Sequence, residues 1–151
     1  MDTSDILICY DGSAASQLAV REVAALHPGA SVTVLSVWRP METFVMAWTM
    51  VPNNLSDLDG EAKQGAEHLA HAGGELAKGL GLRVHEHTAR APMSVARAIL
   101  DWCDEEHPRL IALGATGAST LSDIMFGSVA NAVIHHATVP VLLVRLPRTA
   151  H

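Results

Sequence analysis

The strongest constraint on the fold is the alternation of short apolar runs with stretches that repeat apolar residues at helical spacing. The first run, at 6–10, is almost continuously apolar, which is typical of a strand buried on both faces. The turn Asp11-Gly12-Ser13 follows it, and a helical pattern continues to Leu26. The same pairing recurs along the chain. It predicts strands at 6–10, 31–37, 82–88, 110–113 and 139–144, and helices around 18–26, 56–80, 95–103 and 128–136.

This alternation indicates an α/β domain with a doubly wound, five-stranded parallel sheet, because parallel neighbours need crossovers and helices supply them. Helices should cover both faces of the sheet. The weaker alternation at 82–88 predicts an edge strand, and Pro140 suits a second edge. Ser56-x-x-Asp59 is a capping-box pattern, so we expect the second helix to begin at Ser56. No linker, repeat or low-complexity tract interrupts residues 1–151, which we interpret as one domain.

Glycine-rich turns follow the first and fourth strands. In the order 3-2-1-4-5 these strands are neighbours where the strand order reverses, and parallel sheets bind ligands at that point. Gly114-x2-Gly117 is followed, after nine residues, by Gly127-Ser128. We expect Gly114 to leave room for a ligand, Gly117 to allow a positive φ, and Gly127-Ser128 to open a helix with unpaired N–H groups and a hydroxyl. Together they predict a phosphate cradle.

Composition excludes several classes of partner. The formal net charge is −6 and the ten Lys and Arg residues are scattered, which argues against nucleic acid. No apolar stretch reaches membrane-span length and no basic segment precedes the first strand, so we expect no membrane association. Cys9 and Cys103 lie within apolar patterns, and a reduced cytoplasmic protein is the simplest interpretation.

These motifs together resemble the universal stress protein family. The glycine pattern is similar to that family's ATP-binding signature, and the turn at Asp11, the Ala91-Pro92 step and the final run also match. The resemblance implies a Rossmann-like sheet of the adenine nucleotide alpha hydrolase type in order 3-2-1-4-5. It also implies adenine-nucleotide binding and homodimers paired through the last strand, from Val139 to Val144.

The resemblance further implies a set of site residues. Tyr10 and Asp11 would line the adenosine end, and Val37 would meet adenine through its main chain. The remaining predicted residues would hold ribose and phosphates: Gly114, Gly117, Ala118, Ser119, Gly127, Ser128 and Val129. The loop contains Asp123 and no Lys or Arg, so ATP, ATP shielded by Mg²⁺, AMP and cAMP all stay open as ligands.

Three functions are compared. The leading one is a regulatory protein of a stress response that binds an adenine nucleotide, with ATP as the first candidate ligand. The second is an enzyme, either a slow ATPase or a nucleotide-activating ligase. We expect no enzyme, because the hydroxyls and carboxylate of the loop have no histidine at a spacing that would activate them. The third is a dimeric interaction protein with a vestigial pocket.

Two further features have alternative interpretations. His85 and His87, or His68 and His71, share a face of their element, but no Cys or carboxylate completes a set along the chain. We therefore expect no metal site and histidines that face solvent or a partner. The long connection from Arg39 to Leu55 is rich in apolar residues, and we expect it to be a packing surface rather than a lid.

Overall fold

The computed structural model describes residues 4–40, 55–116 and 126–147. The predicted site residues Gly117, Ala118 and Ser119 lie outside this part of the chain, as does most of the connection from Arg39 to Leu55. In chain order the elements are β1 (Ile6–Cys9), α1 (Ala14–Leu26), β2 (Ser31–Trp38), α2 (Leu55–Gly79), β3 (Arg83–Arg90), α3 (Val95–Glu106), β4 (Leu110–Gly114), α4 (Ser128–His136) and β5 (Val141–Val144).

The strands form one parallel sheet in the order β3-β2-β1-β4-β5. Ile6 of β1 pairs with Val32 of β2 on one side and with Leu110 of β4 on the other. The next two residues of β1, Leu7 and Ile8, are completely buried. The predicted order is confirmed, and β1 and β4 are neighbours at the point where the strand order reverses.

Two apolar clusters lie on opposite faces of the sheet, because successive strand residues point to opposite sides. On one face, Ile8 of β1 packs with Val23 of α1 and Ala77 of α2. On the other face, Leu7 packs with the side chains of α3 and α4, among them Ile99. The prediction of helices on both faces is therefore confirmed. No helix in the described part of the chain is both long and apolar enough to cross a membrane.

Several predicted boundaries are wrong by one or two residues. β5 begins at Val141 rather than at residue 139, since Pro140 has no N–H and joins the sheet only through its carbonyl, which accepts the Ile111 N–H at 3.0 Å. α2 already includes Leu55, so Ser56 lies inside the helix and is not its N-cap. Leu82 does not open β3, because its N–H bonds the Ala77 carbonyl and ends α2 instead.

Candidate functional site

A pocket of about 300 Å³ lies beyond the carboxyl ends of β1 and β4. This volume is at the lower end of the range of roughly 300–1,000 Å³ that small-molecule sites occupy. Seven of the ten predicted site residues line it: Tyr10, Asp11, Val37, Gly114, Gly127, Ser128 and Val129. The fold thus brings the two predicted glycine turns, which are a hundred residues apart in the chain, to one cavity.

The turn after β1 is held by its own side chains. Gly12 has a φ of +80°, which only glycine adopts readily. Asp11 Oδ1 accepts the Ser13 N–H at 3.0 Å, and Ser13 Oγ accepts the Ser16 N–H at 3.2 Å. Ser13 is therefore the N-cap of α1, and Asp11 fixes the turn that precedes the cap. Asp11 therefore does not itself cap α1.

Tyr10 lines the pocket, but most of its ring is buried in the core. Its side chain is 7% exposed and its ring lies against Gly73 of α2 and Val34 of β2. Its carbonyl accepts the Ser36 hydroxyl at 2.8 Å. Burial, together with the neighbouring Asp11, raises the pKa of the Tyr10 phenol. The ring is thus mainly a core group that supports the end of β1, beside the pocket.

Gly114 is required by packing between two elements. A Cβ built at Gly114 would lie 2.7 Å from the Ala15 Cβ and 2.9 Å from the Ala15 carbonyl carbon. The absence of a side chain at Gly114 therefore makes room for the first turn of α1. It was expected to make room for a ligand instead. The close approach brings the N-terminus of α1 to the edge of the pocket.

A hydrogen bond joins the two ends of the connection between β4 and α4. The Ala115 N–H bonds Val144 of β5, and the Ala115 carbonyl accepts the Gly127 N–H, both at 2.8 Å. The Arg145 guanidinium lies 4.6 Å from the centre of the Phe126 ring, beside the point of return. These contacts set the position at which α4 begins.

The N-terminus of α4 borders the pocket as bare backbone. Gly127 is its N-cap, with φ −59° and ψ 158°, and no side chain of the described residues caps it. No acidic residue occupies the first turn. The first N–H groups of a helix have no partner within the helix and carry the positive end of its dipole. Ser128 and Val129 open the helix here, so this end of the pocket suits an anion.

Much of the pocket lining is apolar. Its walls include five residues for which no site role is predicted: Leu35, Leu69, Val95, Ile99 and Leu113. Each lies in a predicted strand or helix pattern, and no local motif separates a core residue from a pocket wall. Ser13 and Ser16 line the pocket as well and were not predicted to, although Ser13 belongs to the predicted turn after β1.

The electrostatics of the described pocket depend on backbone dipoles. Among the described residues that line it, Asp11 is the one with a charged side chain. Cys9 also lines the cavity, and burial raises the pKa of its thiol far above the usual range, with smaller contributions from Cys103 and Asp11. The thiol is therefore neutral, and the pocket offers hydrogen-bond donors and apolar surface.

A parallel sheet with a ligand-sized pocket at its switch point, bordered by a helix N-terminus, defines a doubly wound α/β protein of the ligand-binding type. Residues 3–145 match the model of the Universal stress protein family. The chain belongs to this family.

Two curated relatives carry the same family name. A universal stress protein of Mycolicibacterium smegmatis is 28% identical over 145 residues, covering 92% of this chain and 47% of the relative. A universal stress protein of Methanocaldococcus jannaschii is 29% identical over 102 residues, covering 68% of this chain and 55% of the relative. The chain spans about half the length of the curated relatives it matches.

Solved structures share the fold over nearly the whole chain. The hypothetical protein MJ0577 superposes with a TM-score of 0.79 at 20% identity, covering 99% of this chain and 100% of that one. Universal stress protein UspA from Lactobacillus plantarum gives a TM-score of 0.73 at 22% identity, covering 96% and 99%. Similar universal stress proteins were solved with cAMP, with dAMP (Archaeoglobus fulgidus) and with AMP (Arabidopsis thaliana), at TM-scores of 0.64, 0.66 and 0.63.

Proposed function

We propose that the chain binds an adenine nucleotide in the pocket between β1 and β4 and acts as a regulatory protein of a stress response. The observation that carries this proposal is the pocket itself, which combines apolar walls with the uncapped N-terminus of α4. A nucleoside monophosphate has matching parts, because it joins a flat apolar base to a phosphate. Relatives solved with AMP, dAMP and cAMP support this choice of ligand.

ATP is the nucleotide we propose first, with AMP and cAMP as the alternatives. The described pocket has no cationic side chain, so a triphosphate would rely on backbone N–H groups and on Mg²⁺. We accordingly expect the affinity for ATP to depend on Mg²⁺, and that for AMP and cAMP not to. Mass spectrometry of nucleotide retained through purification gives an independent identification.

The proposed role is binding without rapid turnover. The described pocket lining contains no His, Lys or Arg, and the Cys9 thiol is held neutral by burial. A positioned base or an activated nucleophile is therefore not evident among these residues. We expect ATP hydrolysis far below the median enzyme rate of about 10 per second. The two cysteines form no disulfide, which fits the cytoplasm as the proposed location.

The decisive experiment measures thermal unfolding with and without nucleotide. A ligand present at about 100 times its dissociation constant stabilises the folded state by roughly 2.7 kcal/mol. For a chain of this size that corresponds to about 5–10 °C in the melting temperature. The wild type should melt higher in at least one of ATP, ADP, AMP and cAMP. An unchanged melting temperature in all four would contradict the proposal.

Gly127→Val tests the location of the phosphate. Gly127 has a negative φ, so valine is compatible with the backbone, and the substitution places a branched side chain at the start of α4. We expect the nucleotide-induced rise to disappear in Gly127→Val and to shrink in Ser128→Ala, where one hydrogen bond worth about 1 kcal/mol is at stake.

The matched control is Ser94→Ala. Ser94 caps α3 by accepting the Arg97 N–H at 3.1 Å and does not line this pocket. The control should melt lower than the wild type, because losing an N-cap costs about 1 kcal/mol, yet keep the full response to nucleotide. A Gly127→Val variant that responds like this control would place the ligand elsewhere.

A further inference from the structure

A cluster of metal-ligating side chains lies away from the pocket, where α2 packs against the edge strand β3. His71 and Glu75 are one helical turn apart on α2, and Glu86 reaches them from β3. His71 Nδ1 lies 3.2 and 3.3 Å from the two carboxylate oxygens of Glu86. The expectation that no carboxylate completes a set with a histidine rests on spacing along the chain. That expectation overlooked tertiary contact, since Glu86 is fifteen residues from His71.

The three ligand atoms are already close enough for one ion. One imidazole nitrogen and one oxygen from each carboxylate all lie within 4.8 Å of one another. Zinc bonds to nitrogen and carboxylate oxygen are about 2.0–2.2 Å long, so in a tetrahedral site two ligand atoms lie about 3.3–3.6 Å apart. The His71 nitrogen and the Glu86 oxygens are already at about this spacing. Small side-chain rotations therefore suffice to close the site.

Gly74 makes room for this arrangement. A Cβ built at Gly74 would overlap the Glu86 carboxylate and lie 2.8 Å from its Cγ. Because this helix position lacks a side chain, the Glu86 carboxylate can lie directly over α2, between His71 and Lys78. Glu86 is accordingly the least exposed of the three ligands, with 29% of its side chain accessible against 64% for His71.

A cation already occupies part of this cluster. Lys78 Nζ lies 3.2 Å from Glu75 Oε1 and 3.5 Å from Glu86 Oε1, so its ammonium offsets the repulsion between the two carboxylates. Such exposed ion pairs contribute little, roughly 0–1 kcal/mol, and the lysine side chain can swing away into solvent. A divalent ion would compete with Lys78 for both carboxylates.

We propose that His71, Glu75 and Glu86 bind a divalent transition metal of the Zn²⁺ type, which clamps α2 to β3. One imidazole and two carboxylates are a donor set that suits Zn²⁺ and its neighbours better than Ca²⁺ or Mg²⁺, which prefer oxygen ligands alone. The three side chains come from two elements, so binding stabilises their contact and thereby the folded state. The site is separate from the pocket and does not depend on the function proposed for it.

The test is calorimetric titration of the metal-free, nucleotide-free protein with Zn²⁺. The wild type should show one saturable strong site per chain, and Zn²⁺ should raise its melting temperature. His71→Gln and Glu86→Gln should each weaken that site by at least about tenfold, since even outer-sphere substitutions cost 10–100-fold at metal sites. Lys78→Gln should bind Zn²⁺ more tightly than the wild type, because the competing ammonium is gone.

His85→Gln is the matched control. It tests whether Zn²⁺ binds at the proposed site or at other exposed histidines. His85 precedes Glu86 on β3, is exposed, and points to the opposite face of the sheet. It should leave the strong site unchanged. The proposal is overturned if the wild type shows no saturable site, or if His71→Gln and Glu86→Gln, shown to be folded by their metal-free melting curves, bind Zn²⁺ as His85→Gln does.

Discussion

Gly114 is a residue at which β4 passes close to α1, and its substitution gives a direct test of the packing. In Gly114→Ala the new methyl group would lie 2.7–3.1 Å from Ala15 and from the Ser16 nitrogen, two of these contacts being to backbone atoms. Backbone cannot rotate away as a side chain can, so we expect a loss of about 1–3 kcal/mol in the free energy of unfolding. Urea denaturation measures this loss.

Gly65→Ala is the control for that experiment. Gly65 lies inside α2, and a Cβ built there meets nothing within 4 Å. Alanine in a helix interior is favoured over glycine by about 0.5–1 kcal/mol, so this variant should be more stable than the wild type. Equal stability of Gly114→Ala and the wild type would show that β4 and α1 can move apart.

At the residue scale, the positions of the turn and capping residues could be predicted from the sequence, but their physical roles could not. The position of Gly114 at the end of a strand was predictable, but the close approach of α1 to it depends on tertiary packing. Ser13 and Asp11 could both cap a helix by residue type, and only the geometry of the turn separates them. The contact of His71 with Glu86 has no signature in chain spacing.

At the element scale, two thiols from β1 and α3 lie on the same face of the sheet. Cys103 of α3 belongs to the buried cluster there, and Cys9 of β1 packs against that cluster. Burial, with a contribution from Asp104, raises the pKa of Cys103 from 9.0 to about 11. Burial raises the pKa of Cys9 still further, and the nearby Cys103 adds to the effect.

These shifts predict that stability falls at alkaline pH. Above pH 9 the unfolded chain releases thiol protons that the folded chain retains, so the stabilisation is complete below pH 9 and is lost as pH rises through about 11. The slope is at most about 1.4 kcal/mol per pH unit for each thiol. Cys103→Ala removes one titrating group and should flatten the curve between pH 9 and 11 in urea unfolding. Parallel curves for the two proteins would contradict the assignment.

The types and order of the described elements were predictable because four of the five strands are compact apolar runs, β3 alternates weakly, and each helix has a clear apolar stripe. The boundaries were less predictable, since they depend on hydrogen bonds to distant residues. Pro140 looks like part of a strand by composition, yet Val141 is the first residue that the ladder accepts. Leu82 looks like the start of β3, yet it closes α2 through Ala77.

At the scale of the whole molecule, we propose a homodimer formed by antiparallel pairing of two β5 strands across a twofold axis. β5 is an edge strand, and Val141, Leu142 and Leu143 remain half-buried within one chain. Unpaired apolar edges are normally covered. Light scattering should give a mass that falls towards the monomer value on dilution, and Leu142→Asp should shift this fall to higher concentration.

Leu142 also packs against the core, so the dimer experiment needs a control for folding. Leu146→Asp places the same charge on an exposed side chain just after β5. Both variants should keep the circular dichroism of a folded α/β protein. A wild type with the mass of a monomer at every concentration would contradict the proposed dimer.

The two edges of the sheet differ in a way that limits how large an assembly can grow. β3 carries Arg83, Glu86 and Arg90 with exposed histidines between them, whereas β5 is Val-Leu-Leu-Val. Growth of a continuous sheet by strand addition requires an adhesive edge on both sides of every subunit. The charged edge at β3 does not favour the addition of another strand. The proposed pairing through β5 would therefore stop at two copies.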